Sequence, residues 1–447
     1  MGKAARAPAA SYCRRRARST SRPRSTSEPD VRLRPVIGRL HRWIGLATAG
    51  FLLVAGLTGA LLAWYDELDA LLAPSLLTAP PSPGAAQPLD ALALRARVVQ
   101  AYPQRQVNHV PLSQPPGRSA VFFVAPAPGD TGKPASPVAQ VLVQPYTGQV
   151  LGDRVLGQAA LGARYVMPFI YRLHHSLALD LAGTLMLGAA ALLWTVDCFI
   201  GLWLTLPAAV ASQRRTGGTA GKSWLRRWMP SWWVRWHGGS YKLTFDLHRS
   251  GGLWIWAMLF VLAWSSVAFN LAPAYDTVMA RAGLSFQATT RSLPMRAVPQ
   301  DQPGLSWHQA LETGRLLMEQ QASSGGFSVL REDLLYYDPR RALFSYYVRS
   351  SLDVRERVGR TLVAFDGNTG ELRLAWLPTG AAGGDTITSW LAGLHMAARW
   401  GWPLQALVSV AGLVVAMLSV TGVLVWRRKR ISRRRAKSAS APASMRL

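Results

Sequence analysis

The sequence predicts an internally duplicated membrane protein, a bundle of four helical spans that carries two α+β domains on one side of the bilayer. Three observations predict it. Four apolar runs, near 43–65, 182–206, 251–271 and 403–426, are each long enough to cross a ~30 Å hydrocarbon core at ~1.5 Å per residue. The phrase L-H-R-x-x-G-L occurs twice, at Leu40–Leu46 and Leu247–Leu253, each time leading into an apolar run. A strand, Thr-Gly turn and strand also occur twice, at Val141–Gly152 and Leu362–Leu372.

Composition supports this class and argues against a competing one. The 447 residues are 49% hydrophobic yet carry a formal net charge of +27. A nucleic-acid binder would place its basic residues on a soluble domain; here they flank apolar runs, so no nucleic-acid partner is expected, and the lipid bilayer is. Residues 1–42 hold 12 Lys and Arg, 207–249 hold 8 and 427–447 hold 9, together 29 of 50. The long segments 65–173 and 272–400 hold most of the acids. The positive-inside rule therefore places both termini and the middle loop in the cytoplasm and the two long segments outside.

Along the chain, residues 1–35, rich in Arg, Ser and Pro, read as a disordered basic cytoplasmic tail. Arg14-Arg15-Arg16 suggests a twin-arginine signal, but the apolar run begins only near Trp43 and no small-residue cleavage site follows Trp64. The first transmembrane helix, 36–65, is thus expected to be an uncleaved anchor. The first outer domain follows at 66–170, then the second transmembrane helix at 171–206. A Trp/Arg-rich loop at 207–246 interleaves Trp228, Trp232, Trp233 and Trp236 with Arg226, Arg227 and Arg235, a pattern suited to the membrane interface. The third helix spans 247–272, the second outer domain 273–390, the fourth helix 391–427, and a basic cytoplasmic tail closes the chain at 428–447. Each outer segment reads as helix (Leu89–Tyr102; Trp307–Gln321), strand (Ala120–Ala125; Leu343–Val348) and then the repeated hairpin, hence the inferred duplication.

Cys13 lies in the tail and Cys198 within a span, so no disulfide framework is expected. Gly217–Gly221 precedes Lys222-Ser223, but Thr216 stands where a phosphate-binding loop needs its first glycine and no strand precedes it. No paired catalytic carboxylates and no Ser-His-Asp arrangement are visible.

The histidines carry the chemical signal. His41 and His248 begin the first and third spans on the inner side; His174, or its neighbour His175, and His395 precede the second and fourth on the outer side. An imidazole at the edge of lipid needs a partner. Two matched pairs at opposite faces suggest two bis-histidine sites. A structural zinc would want four ligands, whereas haem needs two axial imidazoles and an apolar slot, which Gly45, Gly50, Gly56, Gly59, Gly183 and Gly188 would open. Without Cys-x-x-Cys-His, attachment would be noncovalent. Arg42 and Arg249, placed at helix N-termini, would hold propionates. Adjacent His174 and His175 differ by ~100° on a helix, so only one faces a given slot; aligning Leu-His with Leu394-His395 favours His174. His109 and His308 read as surface residues. Asp197, the acid in the middle of a span, marks either proton uptake or a protonated side chain bonded to a neighbouring hydroxyl.

The Pro-Tyr-Thr-Gly-x-Val-Leu-Gly turn, the paired L-H-R-x-x-G-L starts and the four spans together resemble the PepSY-associated transmembrane helix proteins, over about residues 36–427. Gln144 departs from the acid often found in that family. The resemblance implies two periplasmic PepSY-like domains, a bacterial inner membrane location and two b-type haems held by histidine pairs. It also implies a haem-dependent ferrisiderophore reductase, with a ferric siderophore or other ferric chelate as acceptor. No flavin or nicotinamide site is recognisable, so a separate cytoplasmic or membrane electron donor is expected. The alternatives are a membrane-anchored PepSY module that binds or inhibits an envelope protease or other partner without redox activity, and transport without redox, for which the spans are poor in polar residues.

Overall fold

A computed structural model of the chain describes residues 29–81, 87–126, 139–160, 162–207 and 223–439. Cys13, the Arg14–Arg16 run and the Gly217–Gly221 stretch lie outside them. Helix α1 (Pro29–Leu62) is the first element among the described residues, and it includes the end of the segment expected to be a disordered tail. Short helices α2 (Tyr65–Leu72) and α3 (Pro74–Leu77) lead to α4 (Ala91–Ala101), which Asp90 caps through Leu92 N–H and Ala93 N–H.

Strands β1 (Arg105–Pro111), β2 (Ala120–Pro126), β3 (Ala139–Val143) and β4 (Val150–Val155) follow as an antiparallel meander. Gly148 adopts φ 74° in the β3–β4 turn, a conformation that a side chain would strain. The chain then returns through α5 (Val166–Ser176) and α6 (Asp180–Thr205). The second half repeats the plan: α7 (Trp224–Trp228), α8 (Ser240–Trp254), α9 (Trp256–Asn270), α10 (Ala272–Arg281), α11 (Trp307–Gly325), strands β5 (Val329–Asp338), β6 (Leu343–Ser350), β7 (Thr361–Asp366) and β8 (Leu372–Trp376), then α12 (Gly383–His395) and α13 (Trp402–Ala439).

The two outer segments do not fold as two separate domains. They share one eight-stranded sheet in the order β4-β3-β2-β1-β5-β6-β7-β8. The join is antiparallel, with His109 opposite Tyr336, Val110 opposite Leu335 and Pro111 opposite Leu334. Pairing β1 with β5 satisfies two edges that would otherwise expose backbone donors and acceptors. One core runs under the join: Leu94 and Val98 of α4, Leu311 and Met318 of α11, and Phe122, Leu335, Phe344 and Phe365 from the strands. Arg95 lies over the Trp307 ring at 4.0 Å, tying the two helices together. His109, expected at the surface, is instead half-buried at the join, with its ring 4.6 Å from Phe123 and Nδ1 enclosed without a partner among the described residues.

Among the described residues, three helical segments are long and apolar enough to cross a membrane: Leu33–Leu62, Asp180–Thr205 and Trp402–Arg435. A fourth exists if α8 and α9, bent by 73° at Ile255, count as one span. The expected second and fourth spans are also interrupted. Leu177, Ala178 and Asp180 take positive φ between α5 and α6, and Ala397, Trp400 and Gly401 do so between α12 and α13. Non-glycine residues rarely hold that conformation unless packing enforces it. Helices α1 and α13 cross with their backbones in contact: a Cβ on Gly56 would lie 2.6 Å from Gly412 O, and one on Gly412 equally close to Gly56 O. Polar bonds reinforce the crossing, Trp64 Nε1 to Ser409 Oγ at 2.9 Å and Gln405 Nε2 to Ala63 O at 2.9 Å.

The sheet is fastened to the bundle by charge. Buried Arg154 on β4 grips buried Asp69 on α2 through two bonds, 2.8 and 2.6 Å, and Arg357 reaches Asp66 and Glu67. On the opposite side, Trp224, Trp228, Trp232 and Trp254 form a ladder at 5.1–5.3 Å beside α8, the first pair tilted and the other two edge-to-face.

Candidate functional site

The bundle brings the sequence-predicted histidines together in two pairs. His41 on α1 and His248 on α8 have ring centres 6.0 Å apart; His174 on α5 and His395 on α12 have theirs 6.2 Å apart. Each pair draws one ring from each half of the duplicated chain. His175 is exposed, stacks 4.7 Å from Tyr171 and bonds Tyr171 O at 2.8 Å, so it belongs to neither pair.

Where these residues sit on their helices differs from expectation. His41 lies well inside α1 and His248 in the middle of α8, not at helix starts. His174 and His395 lie near or at the ends of the short helices before the left-handed breaks. The apolar runs mark where helices are hydrophobic, not where they begin, and polar flanks extend them. Neither Arg42 nor Arg249 therefore stands at a helix N-terminus, and the macrodipole contributes nothing at either residue. Their charges and their donors remain. Both guanidinium Nε atoms are buried without an acceptor among the described residues, although Arg249 also bonds Pro230 O and Asp246.

Every paired ring is held by Nδ1. His174 Nδ1 meets Thr58 Oγ1 at 2.9 Å and His395 Nδ1 meets Ser265 Oγ at 2.6 Å. His248 Nδ1 meets Thr421 Oγ1 and Leu418 O, both at 3.1 Å, and His41 Nδ1 meets Asp197 Oδ1 at 2.8 Å. The three hydroxyls each donate their one proton to a carbonyl four residues back: Val54, Val261 and Met417. They can then only accept from the ring, which assigns the proton to Nδ1 and leaves Nε2 with a lone pair. Among the described residues, no hydrogen bond reaches Nε2 of any of the four.

That arrangement is what a metal-ligating histidine needs, since a ligand ring commonly donates its other N–H to a carboxylate, carbonyl or hydroxyl. Spacing fits as well. A ligating nitrogen lies ~2.0–2.1 Å from a metal and roughly 1.1 Å from its ring centre, so two rings on opposite sides of one atom have centres ~6 Å apart. Among the described residues, no three His, Cys, Asp or Glu side chains form a group that could hold a bare ion. Each pair could hold a two-ligand centre such as haem iron.

Glycines cradle the rings, though mostly not those expected. A Cβ on Gly59 would lie 3.0 Å from His174 Cε1, one on Gly422 3.2 Å from His248 Cε1, and one on Gly201 3.7 Å from His41 Cε1. Of the other glycines expected to open a slot, Gly56 serves the α1–α13 crossing, Gly183 the α5–α6 turn against Ser176 O, and Gly188 packing on Leu271, while Gly45 and Gly50 face open space.

Sequence reasoning missed Thr58, Ser265, Thr421, Gly201 and Gly422, yet a signal for most of them existed. Thr58 and Ser265 each follow their inner histidine by seventeen residues, and Gly201 and Gly422 each follow their outer histidine by twenty-seven. The first spacing also measures depth. Thr58 touches the outer pair and His41 belongs to the inner one, so seventeen residues of α1 separate the two sites by ~25 Å, most of a bilayer core.

A comparison with curated proteins returns no significant match. The PepSY-associated TM region family matches residues 38–429, a stretch that contains all four paired histidines, the breaks between α5 and α6, α8 and α9, and α12 and α13, and the whole sheet. The chain therefore belongs to the PepSY-associated TM region family of membrane proteins.

Proposed function

We propose that this protein is a di-haem b oxidoreductase of the bacterial inner membrane that passes electrons across the bilayer to a periplasmic ferric chelate, such as a ferric siderophore. The observation that carries the reading is the pairing of four Nδ1-tethered imidazoles, two toward each end of the bundle, each with Nε2 free. When bound, haem iron supplies one-electron chemistry, and the protein sets its potential through ligation, burial and nearby charge. His41 and His248 would hold the inner group, with Arg42 and Arg249 offering donors to its propionates. His174 and His395 would hold the outer group, nearer the sheet.

The chain's own residues do the rest. Asp197, Thr58, Ser265 and Thr421 keep each ring in one tautomer and one rotation, while Gly59, Gly201 and Gly422 let neighbouring backbones approach. The basic flanks favour cytoplasmic termini, which puts the sheet and the outer pair on the periplasmic side. A separate cytoplasmic or membrane donor and a ferric chelate are the partners this reading requires.

The test is an absorption spectrum and haem quantification on detergent-purified protein from haem-replete cells. Two equivalents with a Soret band and sharp low-spin bands on reduction are expected, falling to one in His248→Ala and in His174→Ala but remaining two in His175→Ala. A colourless protein would sink the proposal and leave a membrane-anchored binding module.

A further inference from the structure

The duplicated halves match in register, but the two histidine pairs are not held alike. Thr58 and Ser265 occupy corresponding places and hold the outer rings with neutral hydroxyls. Gly201 and Gly422 correspond beside the inner rings. Twenty-three residues after the outer histidine of the first half stands Asp197; the corresponding residue of the second half is Leu418. Leu418 offers His248 only its backbone carbonyl, whereas Asp197 offers His41 a carboxylate at 2.8 Å. Asp197 is 12% exposed and lies deep in a helix whose other acid, Asp180, stands in its first turn. A carboxylate is costly in a span, and here it breaks the internal symmetry at one ring of four.

We infer that Asp197 is a positioning residue that sets the inner haem at a lower reduction potential than the outer one, biasing electron flow toward the sheet side. The inference rests on the di-haem reading above. A charged acceptor makes a hydrogen bond roughly twice as strong as a neutral one, so it makes the His41 ring a stronger electron donor through Nε2. Its negative charge, in a medium of low dielectric, also favours the ferric over the ferrous state. Among the described residues the outer rings meet hydroxyls and no carboxylate, and gain neither effect. Arg42 and Arg249 act in the opposite sense near the inner pair. Arg249 is countered by buried Asp246 at 3.0 Å, and neither arginine bonds a ligand ring.

The experiment is optical and EPR-monitored redox titration of the full-length, haem-loaded protein in detergent. Wild type should titrate in two waves, and His248→Ala should remove the lower one. Asp197→Asn should keep two haems and raise the lower midpoint by at least a tenfold change in reduced-to-oxidised ratio, about 59 mV for one electron. The upper wave should stay in place and the inner ferric low-spin EPR signal should move, while Asp197→Glu restores the low midpoint. As a converse, Thr58→Asp should lower the upper wave. If Asp197→Asn leaves both midpoints unmoved, or moves only the upper one, the inference is overturned while the di-haem reading stands. If Asp197→Asn sheds its inner haem, an unmoved upper wave in Thr58→Asp overturns it equally. A preparation without haem sinks the di-haem reading itself.

Discussion

Removing the Ser265 hydroxyl should loosen the outer haem far more than removing the Thr421 hydroxyl loosens the inner one. Ser265 is fully buried, meets His395 Nδ1 at 2.6 Å and passes its own proton to Val261 O at 2.6 Å. The Leu262 carbonyl beside that ring is a poorly placed substitute, so Ser265→Ala leaves a buried N–H poorly satisfied, at a cost of ~1–3 kcal/mol. At ~1.4 kcal/mol per factor of ten, haem affinity at the outer site falls roughly 5- to 150-fold. Thr421→Val is milder because the Leu418 carbonyl already lies 3.1 Å from His248 Nδ1 and takes over the bond, so the loss stays below ~1 kcal/mol. The assay is the rate of haem transfer to an excess of a soluble haem scavenger, followed at the Soret band. His41→Ala isolates the outer site and His174→Ala the inner one. Equal transfer rates from Ser265→Ala and its parent, or faster loss from Thr421→Val than from Ser265→Ala, would refute the reasoning that these hydroxyls fix the ligand rings.

Two further outcomes concern the sheet. Asp69→Ala strands the Arg154 guanidinium, whose side chain is 2% exposed, and should destabilise the fold by ~3–5 kcal/mol, whereas Asp69→Leu with Arg154→Met should recover most of that; thermal unfolding followed by circular dichroism decides, and additive single effects would count against a coupled pair. Burial holds the His109 imidazole well below its ordinary value of 6.5, at about 4. An unfolded chain takes up a proton below pH 6.5 that the folded sheet refuses. Stability is therefore full above pH 6.5 and declines toward pH 4, by at most about 3 kcal/mol. His109→Phe should flatten that part of the stability profile, and an unchanged profile would remove His109 as its cause.

Much of the candidate site was legible because its signals are local. Leu-His-Arg repeated before two apolar runs named His41 and His248, and Leu-His before the other two named His174 and His395. The hairpins at Val141–Gly152 and Leu362–Leu372 were legible through their turn chemistry, and Leu89–Tyr102 and Trp307–Gln321 through helical periodicity. Strands β1 and β5 were not, since Arg105–Pro111 and Val329–Asp338 mix polar and apolar residues and become strands through pairing with β2, with β6 and with each other. The Ser and Thr partners were hidden for a related reason: a hydroxyl on an apolar helix looks like any tolerated small polar residue until an imidazole from another helix meets it.

By itself the sequence determined that this chain enters membranes, that its plan is duplicated and that four histidines recur at matching places, because hydropathy, repetition and turn residues are properties of neighbouring positions. Only the tertiary structure decided that the two outer segments fuse into one sheet, that His174 rather than His175 faces His395, and that Asp197 holds one ring while hydroxyls hold the others. Those outcomes depend on which helix faces and strand edges meet across two hundred residues, and that is fixed by packing of the whole chain.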